Sequence, residues 1–91
     1  MAKKTKKGWG VYIVKCADNT LYTGIAKDIP GRIKTHNEGM GAKYTRPRLP
    51  VTLVYREKSK NRSTATKREL AIKKLTRNEK LKLVKKRPVK K

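Results

Sequence analysis

Phenylalanine is absent from this 91-residue chain, and tryptophan, cysteine and histidine occur once each against only six acids. Each shortage excludes something. A lone cysteine, Cys16, forms no internal disulfide, and a reducing cytoplasm is the compartment this predicts. Cys16 and His36 are too few soft ligands for a structural zinc site. The longest apolar run, Val11 to Val14, is four residues, so nothing reads as a transmembrane helix. The basic start, Met1 to Lys7, leads into no apolar segment and does not read as a secretory signal. With 35% hydrophobic residues, the chain has material for one small core and a single domain.

What is abundant is positive charge. Lysine and arginine total 27, giving a formal net charge of +21. A compact molecule so charged repels itself, and a polyanion relieves the repulsion. Nucleic acid is the expected partner, because phosphate contacts release counterions. Membrane is not, since the cations are spread over the chain and do not form one amphipathic stripe.

The basic, core-poor segments 1–8 and 85–91 read as flexible tails around a folded region, 9–84. Trp9 to Val14 and Leu21 to Ile25 read as strands joined by the turn formers Ala17-Asp18-Asn19, a hairpin that brings Tyr12 and Tyr22 together. Asp28 caps a helix reaching about Asn37, with Pro30 in its first turn and Gly39 closing it. Ile29 and Ile33 face the core, while Arg32 and His36 share a neighbouring face. Gly39 to Pro50 is a loop bearing Lys43, Tyr44, Arg46 and Arg48. Val51 to Arg56 alternates as a third strand, with Val51, Leu53 and Tyr55 on one side. Thr66 with Glu69 has capping-box spacing, Ser63 is a rival cap, and Ala65, Ile72 and Leu75 form the apolar stripe of a second helix. Thr76 with Glu79 repeats the box and starts a third helix carrying Leu81 and Val84. The order predicts a small α/β sandwich with a three-stranded sheet.

Several residues carry two readings. Tyr12 and Tyr22 are strand core with satisfied hydroxyls, or phenols at a site, where the flanking glycines admit close approach. Glu69 completes a capping box or pairs with Lys73, or it ligates a metal. His36 moves a proton or touches phosphate, or it is a surface residue favoured by the dipole near a helix end. Arg32 is one solvated cation among many, or a bidentate clamp on phosphate. The loop cations with Tyr44 grip phosphate and stack on a base, or they are simply exposed. Trp9, Cys16 and Tyr55 read as core.

Gly10-Val11-Tyr12, Tyr22-Thr23-Gly24, Arg32, His36 and Glu69, in this order and spacing, resemble the GIY-YIG endonuclease superfamily. The stretches CADNTLYTGIAKD, RIKTHN and GAKYTR are similar to its short stand-alone members, and the resemblance runs from about Gly10 to Val84. It implies a three-stranded antiparallel sheet flanked by helices and hydrolysis of DNA phosphodiesters with one Mg²⁺ or Mn²⁺. It also implies selection by DNA structure, branched or flapped, and room for a protein partner that confers specificity. By the same resemblance Tyr12 is the candidate general base, and Tyr22 positions water or phosphate. Gly24 admits substrate or a helix, Arg32 stabilises the phosphorane, His36 is a site residue and Glu69 is the metal ligand. Some members carry lysine where this chain has Ile25; Lys27 is the nearby cation, and Asn78 is the one late asparagine. The alternative is a nucleic-acid-binding or ribosome-associated protein on the same fold that does not cut.

Overall fold

A computed structural model describes residues 8–86. Three strands, β1 (Gly10–Lys15), β2 (Leu21–Ala26) and β3 (Thr52–Lys58), form one sheet of order β2-β1-β3, antiparallel throughout. Helix α1 (Ile29–Asn37) covers one face; α2 (Arg62–Lys73) and α3 (Arg77–Lys86) cover the other. The three-stranded antiparallel α/β sandwich is therefore the observed fold. Of the expected tails, 1–7 and 87–91 lie outside the described residues, and Lys85 and Lys86 belong to α3.

β1 is central and buried on both faces, which is why it carries the longest apolar run. Tyr12, Val14 and Cys16 point to α1 and pack with Ala26, Ile29 and Val51. Val11 and Ile13 point the other way, to Ala65 and Ile72 of α2. The hairpin turn is an Asx turn: Asp18 Oδ1 accepts from the Thr20 amide at 3.1 Å, and Asn19 is left-handed at φ 70°.

α1 begins where expected, with Asp28 accepting from the Gly31 amide, and Gly39 follows at φ 80°. The start of α2 does not match expectation. Asn61, not Ser63 or Thr66, is the N-cap, accepting from the Thr64 amide at 2.9 Å. Thr66 sits inside the helix and donates to the Arg62 carbonyl, so Glu69 completes no capping box. The second box is as expected, Thr76 and Glu79 exchanging bonds of 2.9 and 3.1 Å. β3 also departs from simple alternation. A bulge opposite Ile13 and Val14 puts Val51 and Leu53 on the α1 face but turns Tyr55 to the α2 face.

Candidate active site

The site forms where the α1 face meets the β2 edge. Tyr12 pairs across the ladder with Gly24, and Tyr22 pairs with Val14, so both phenols project from the α1 face. A Cβ on Gly24 would lie 2.5 Å from the Tyr12 hydroxyl oxygen. The missing side chain at Gly24 thus makes room for the Tyr12 ring, and what approaches that backbone is a phenol rather than a substrate or a helix.

His36 lies on the inward stripe of α1 with Ile29 and Ile33 and is fully buried, so the surface reading of this histidine does not hold. Its Nε2 stands 2.8 Å from the Tyr12 hydroxyl and its Nδ1 2.9 Å from the Thr45 hydroxyl. The Thr45 hydroxyl has one proton and gives it to the Ala42 carbonyl at 2.9 Å. Toward His36 it must therefore accept, which places the imidazole proton on Nδ1. Nε2 is left as the acceptor of the phenol proton. Four groups form one directed chain: Tyr12 hydroxyl to imidazole, imidazole to Thr45, Thr45 to backbone. Gly41 admits the ring, since a Cβ there would fall 2.2 Å from Nδ1.

Arg32, one turn before His36 on α1, places its charge against both groups. Burial pushes the Tyr12 phenol up to about 12; Arg32 pulls it down, and the charges of Tyr22 and Glu69 push it up. Burial also holds His36 below its ordinary value, and the Arg32 cation adds to that. In the resting protein both members of the pair are neutral at pH 7.

Glu69 reaches the site from α2, past the edge strand. Its carboxylate pairs with Lys73 Nζ at 3.3 Å, and that ammonium lies 5.8 Å from the Tyr22 ring centre. Tyr22 is an aromatic wall, edge-on to His36 at 5.6 Å and stacked on Tyr44 at 5.9 Å. Tyr44 is half-covered by that stack and by Arg48, whose guanidinium lies 4.1 Å from its ring. Arg48 also pairs with Asp18 at 3.0 Å and donates to the Tyr44 carbonyl, so it binds the loop to the hairpin. Asn37 anchors the other end of the loop through two bonds with the Val51 backbone, of 2.7 and 3.1 Å.

The structure thus brings together Tyr12, Tyr22, Arg32, His36 and Glu69, with Gly24 beneath and Tyr44 alongside. Lys43 and Arg46 are exposed on the loop, in no ion pair among the described residues. Lys27 lies apart, beyond the end of β2, and Ile25 faces the α2 core. Asn78 is exposed in the first turn of α3. Thr45 and Gly41 escaped the sequence reading, whereas the Glu69–Lys73 pair is one it offered. The spacing of Ile29, Ile33 and His36 would have flagged the burial of His36, but a loop threonine carries no comparable signal.

No cluster of three metal-ligating side chains exists among the described residues. The single carboxylate of Glu69 does fit an ion that keeps most of its shell as water and phosphate oxygen, as Mg²⁺ and Mn²⁺ do.

A fold of this kind, with paired phenols, an arginine and one carboxylate at a sheet edge, defines a class. The chain belongs to the GIY-YIG family: the family model described as the GIY-YIG catalytic domain matches residues 8–82. Among its relatives are UPF0213 proteins of Staphylococcus aureus, 57% identical over 77 residues, covering 85% of this chain and 94% of theirs. Two solved structures are similar. The UPF0213 protein BH0048 of Bacillus halodurans is 40% identical with a TM-score of 0.58, over 88% of this chain and 85% of that one. The protein EF2693 of E. faecalis is 41% identical with a TM-score of 0.61, over 92% and 90%.

Proposed function

We propose that this protein is a divalent-metal-dependent endonuclease that hydrolyses DNA phosphodiesters, selecting by strand structure rather than by base sequence. The observation that carries the reading is the directed chain Tyr12–His36–Thr45 set beside Arg32 and Glu69. A chain serving stability alone has no need of an arginine and a carboxylate gathered at its open end.

Tyr12 takes the proton of the attacking water as its own proton passes to His36 Nε2. The water oxygen bonds to phosphorus and the bond to the 3′ oxygen breaks, leaving a 5′-phosphate and a 3′ oxygen that takes a proton from solvent to become the 3′-hydroxyl. Arg32 holds the equatorial oxygens of the phosphorane through its planar fork, a contribution of roughly 3–4 kcal/mol by analogy with other preorganised donors. Tyr22 positions water or phosphate against its wall. Glu69 would hold the Mg²⁺ or Mn²⁺, which supplies neutralisation of the phosphoryl charge and of the leaving oxygen when bound. Lys43 and Arg46 grip backbone phosphates, a contact without base information. Action in the cytoplasm on nucleoid DNA, with a partner protein adding selectivity, belongs to the same reading.

The test is nicking of labelled linear, flapped and four-way DNA with Mg²⁺ or Mn²⁺, comparing wild type, Glu69→Gln and Tyr12→Phe. Cutting by wild type with retained binding and lost cutting in both variants is expected. If wild type cuts none of the substrates yet binds them, the protein is a nucleic-acid binder on this fold and the nuclease reading falls.

A further inference from the structure

A second feature lies on the same sheet face, one rung from Tyr12. Gly10 follows Tyr12 on that face and pairs with Lys58 of β3, while Tyr12 pairs with Arg56. Paired residues project from one side of a sheet, so Arg56 and Lys58 stand on the Tyr12 side, where Ile29 packs against Gly10, its Cδ1 3.0 Å from where a Cβ would lie. A cavity of about 440 Å³ opens there, between β3, the end of β2 and the start of α1. Lys27 lines it from the β2 side, Gly8 and Gly10 contribute backbone, and Trp9, Ile29 and Pro30 supply its apolar wall. Arg56, Lys58 and Lys27 are exposed, and none of them is in an ion pair among the described residues.

Two acids also border the cavity. Glu57 contributes backbone only, because its carboxylate is turned to the far face and bound to Tyr55 and Arg68. Asp28 caps α1 and is the one carboxylate left near the opening. Three exposed cations, unpaired among the described residues and opposed by one engaged acid, select an anion.

We infer that this cavity seats a backbone phosphate of the bound nucleic-acid strand, held by Arg56, Lys58 and Lys27 and separate from the phosphate presented to Tyr12. The inference rests on the nucleic-acid partner of the proposed function, and its test does not depend on cutting. The probe is a fluorescein-labelled single-stranded oligonucleotide, its affinity read by anisotropy over a series of salt concentrations. Each phosphate contact on a single strand contributes on the order of 0.7 to the slope of log affinity against log salt. The variant Arg56→Gln/Lys58→Gln should give a slope shallower by about 0.7 to 1.4, and affinity at 0.1 M salt lower by roughly 5- to 25-fold. Lys82→Gln/Lys85→Gln, with the same charge change on exposed α3, should alter the slope by less than half as much. Lys27→Gln alone should act in the same direction as the first pair. Equal slopes for the two double variants would overturn the subsite, whether or not the protein cuts. In the nicking assay the first pair should raise KM and spare kcat. Absence of nicking by wild type would count against the nuclease reading alone, with the anisotropy still deciding the subsite.

Discussion

Thr45→Val is the sharpest test of the proton chain. Valine keeps the shape of threonine and removes the hydroxyl, at a position with no solvent to replace it. Two partners are orphaned: the imidazole Nδ1–H, and the Ala42 carbonyl at 2.9 Å. A buried donor left unpaired costs roughly 1–3 kcal/mol. The imidazole can escape that cost by moving its proton to Nε2, where it would donate to the Tyr12 oxygen. In that tautomer the ring no longer accepts the phenol proton. A bias of 1–3 kcal/mol corresponds to a fraction of competent tautomer reduced by about 5- to 150-fold. Single-turnover nicking should therefore slow about 10- to 100-fold with KM unchanged, while Thr45→Ser stays within about threefold of wild type. A further control separates proton positioning from general loosening. Once His36→Ala has removed the ring, Thr45→Val should slow nicking no further, because both act through one unit. A folded Thr45→Val protein that cuts at the wild-type rate, or additive losses in the double variant, would refute the reasoning.

Lys73→Met should tighten Mn²⁺ binding about two- to fivefold in calorimetry, because a partly exposed ion pair of up to about 1 kcal/mol no longer competes for Glu69. Gly24→Ala would place a methyl 2.5 Å from the Tyr12 oxygen; urea melts should show a loss of about 1–3 kcal/mol, and nicking should fall with it. Stability should decline as pH falls below 6.5, because His36 is held neutral in the fold below that ordinary value while the unfolded chain takes up the proton first. The loss proceeds from the unfolded pKa down to the folded one, so urea midpoints at pH 7.5 and 5.5 should differ in wild type, and less so in His36→Gln.

The parts of the fold that were legible in the sequence are those whose signals are local. The hairpin follows from its Asx turn, α1 from Asp28 and Gly39, and the second capping box from Thr76 and Glu79. The start of α2 was not legible, because Ser59, Asn61, Ser63, Thr64 and Thr66 offer competing caps within eight residues. Burial of Ala65 and Ile72 selects among them, and that is a tertiary fact. The bulge that turns Tyr55 over leaves an unbroken apolar alternation in the sequence, so period two gave the wrong face. At the site the sequence indicates which groups meet, yet not what the glycines admit. Gly24 makes space for a phenol of the same protein and Gly41 for an imidazole, intramolecular approaches that a search for ligand room misreads.

Tyr12 and His36 together set a constraint that neither residue sets alone. A phenol pushed up to about 12 facing an imidazole held below its ordinary value keeps its proton at rest, so a wide separation stands between the two groups and proton transfer. The larger part of that separation is the ordinary difference between a phenol and an imidazole, and burial widens it on both sides. The surrounding charges decide how much of it persists: Arg32 pulls the phenol down, and the carboxylate of Glu69 holds it up. Any cation that neutralises Glu69 removes one of the influences keeping the phenol protonated, and Lys73 already does part of this at 3.3 Å. The resting arrangement is therefore an uncharged, fully hydrogen-bonded pair that stabilises the fold. Its reactivity depends on what gathers at Glu69 and Arg32, outside the buried chain. It follows that Glu69→Gln should lower the phenol pKa in a spectroscopic titration even as it abolishes metal-dependent nicking. A change in one without the other would separate the electrostatic role of this carboxylate from its role as a ligand.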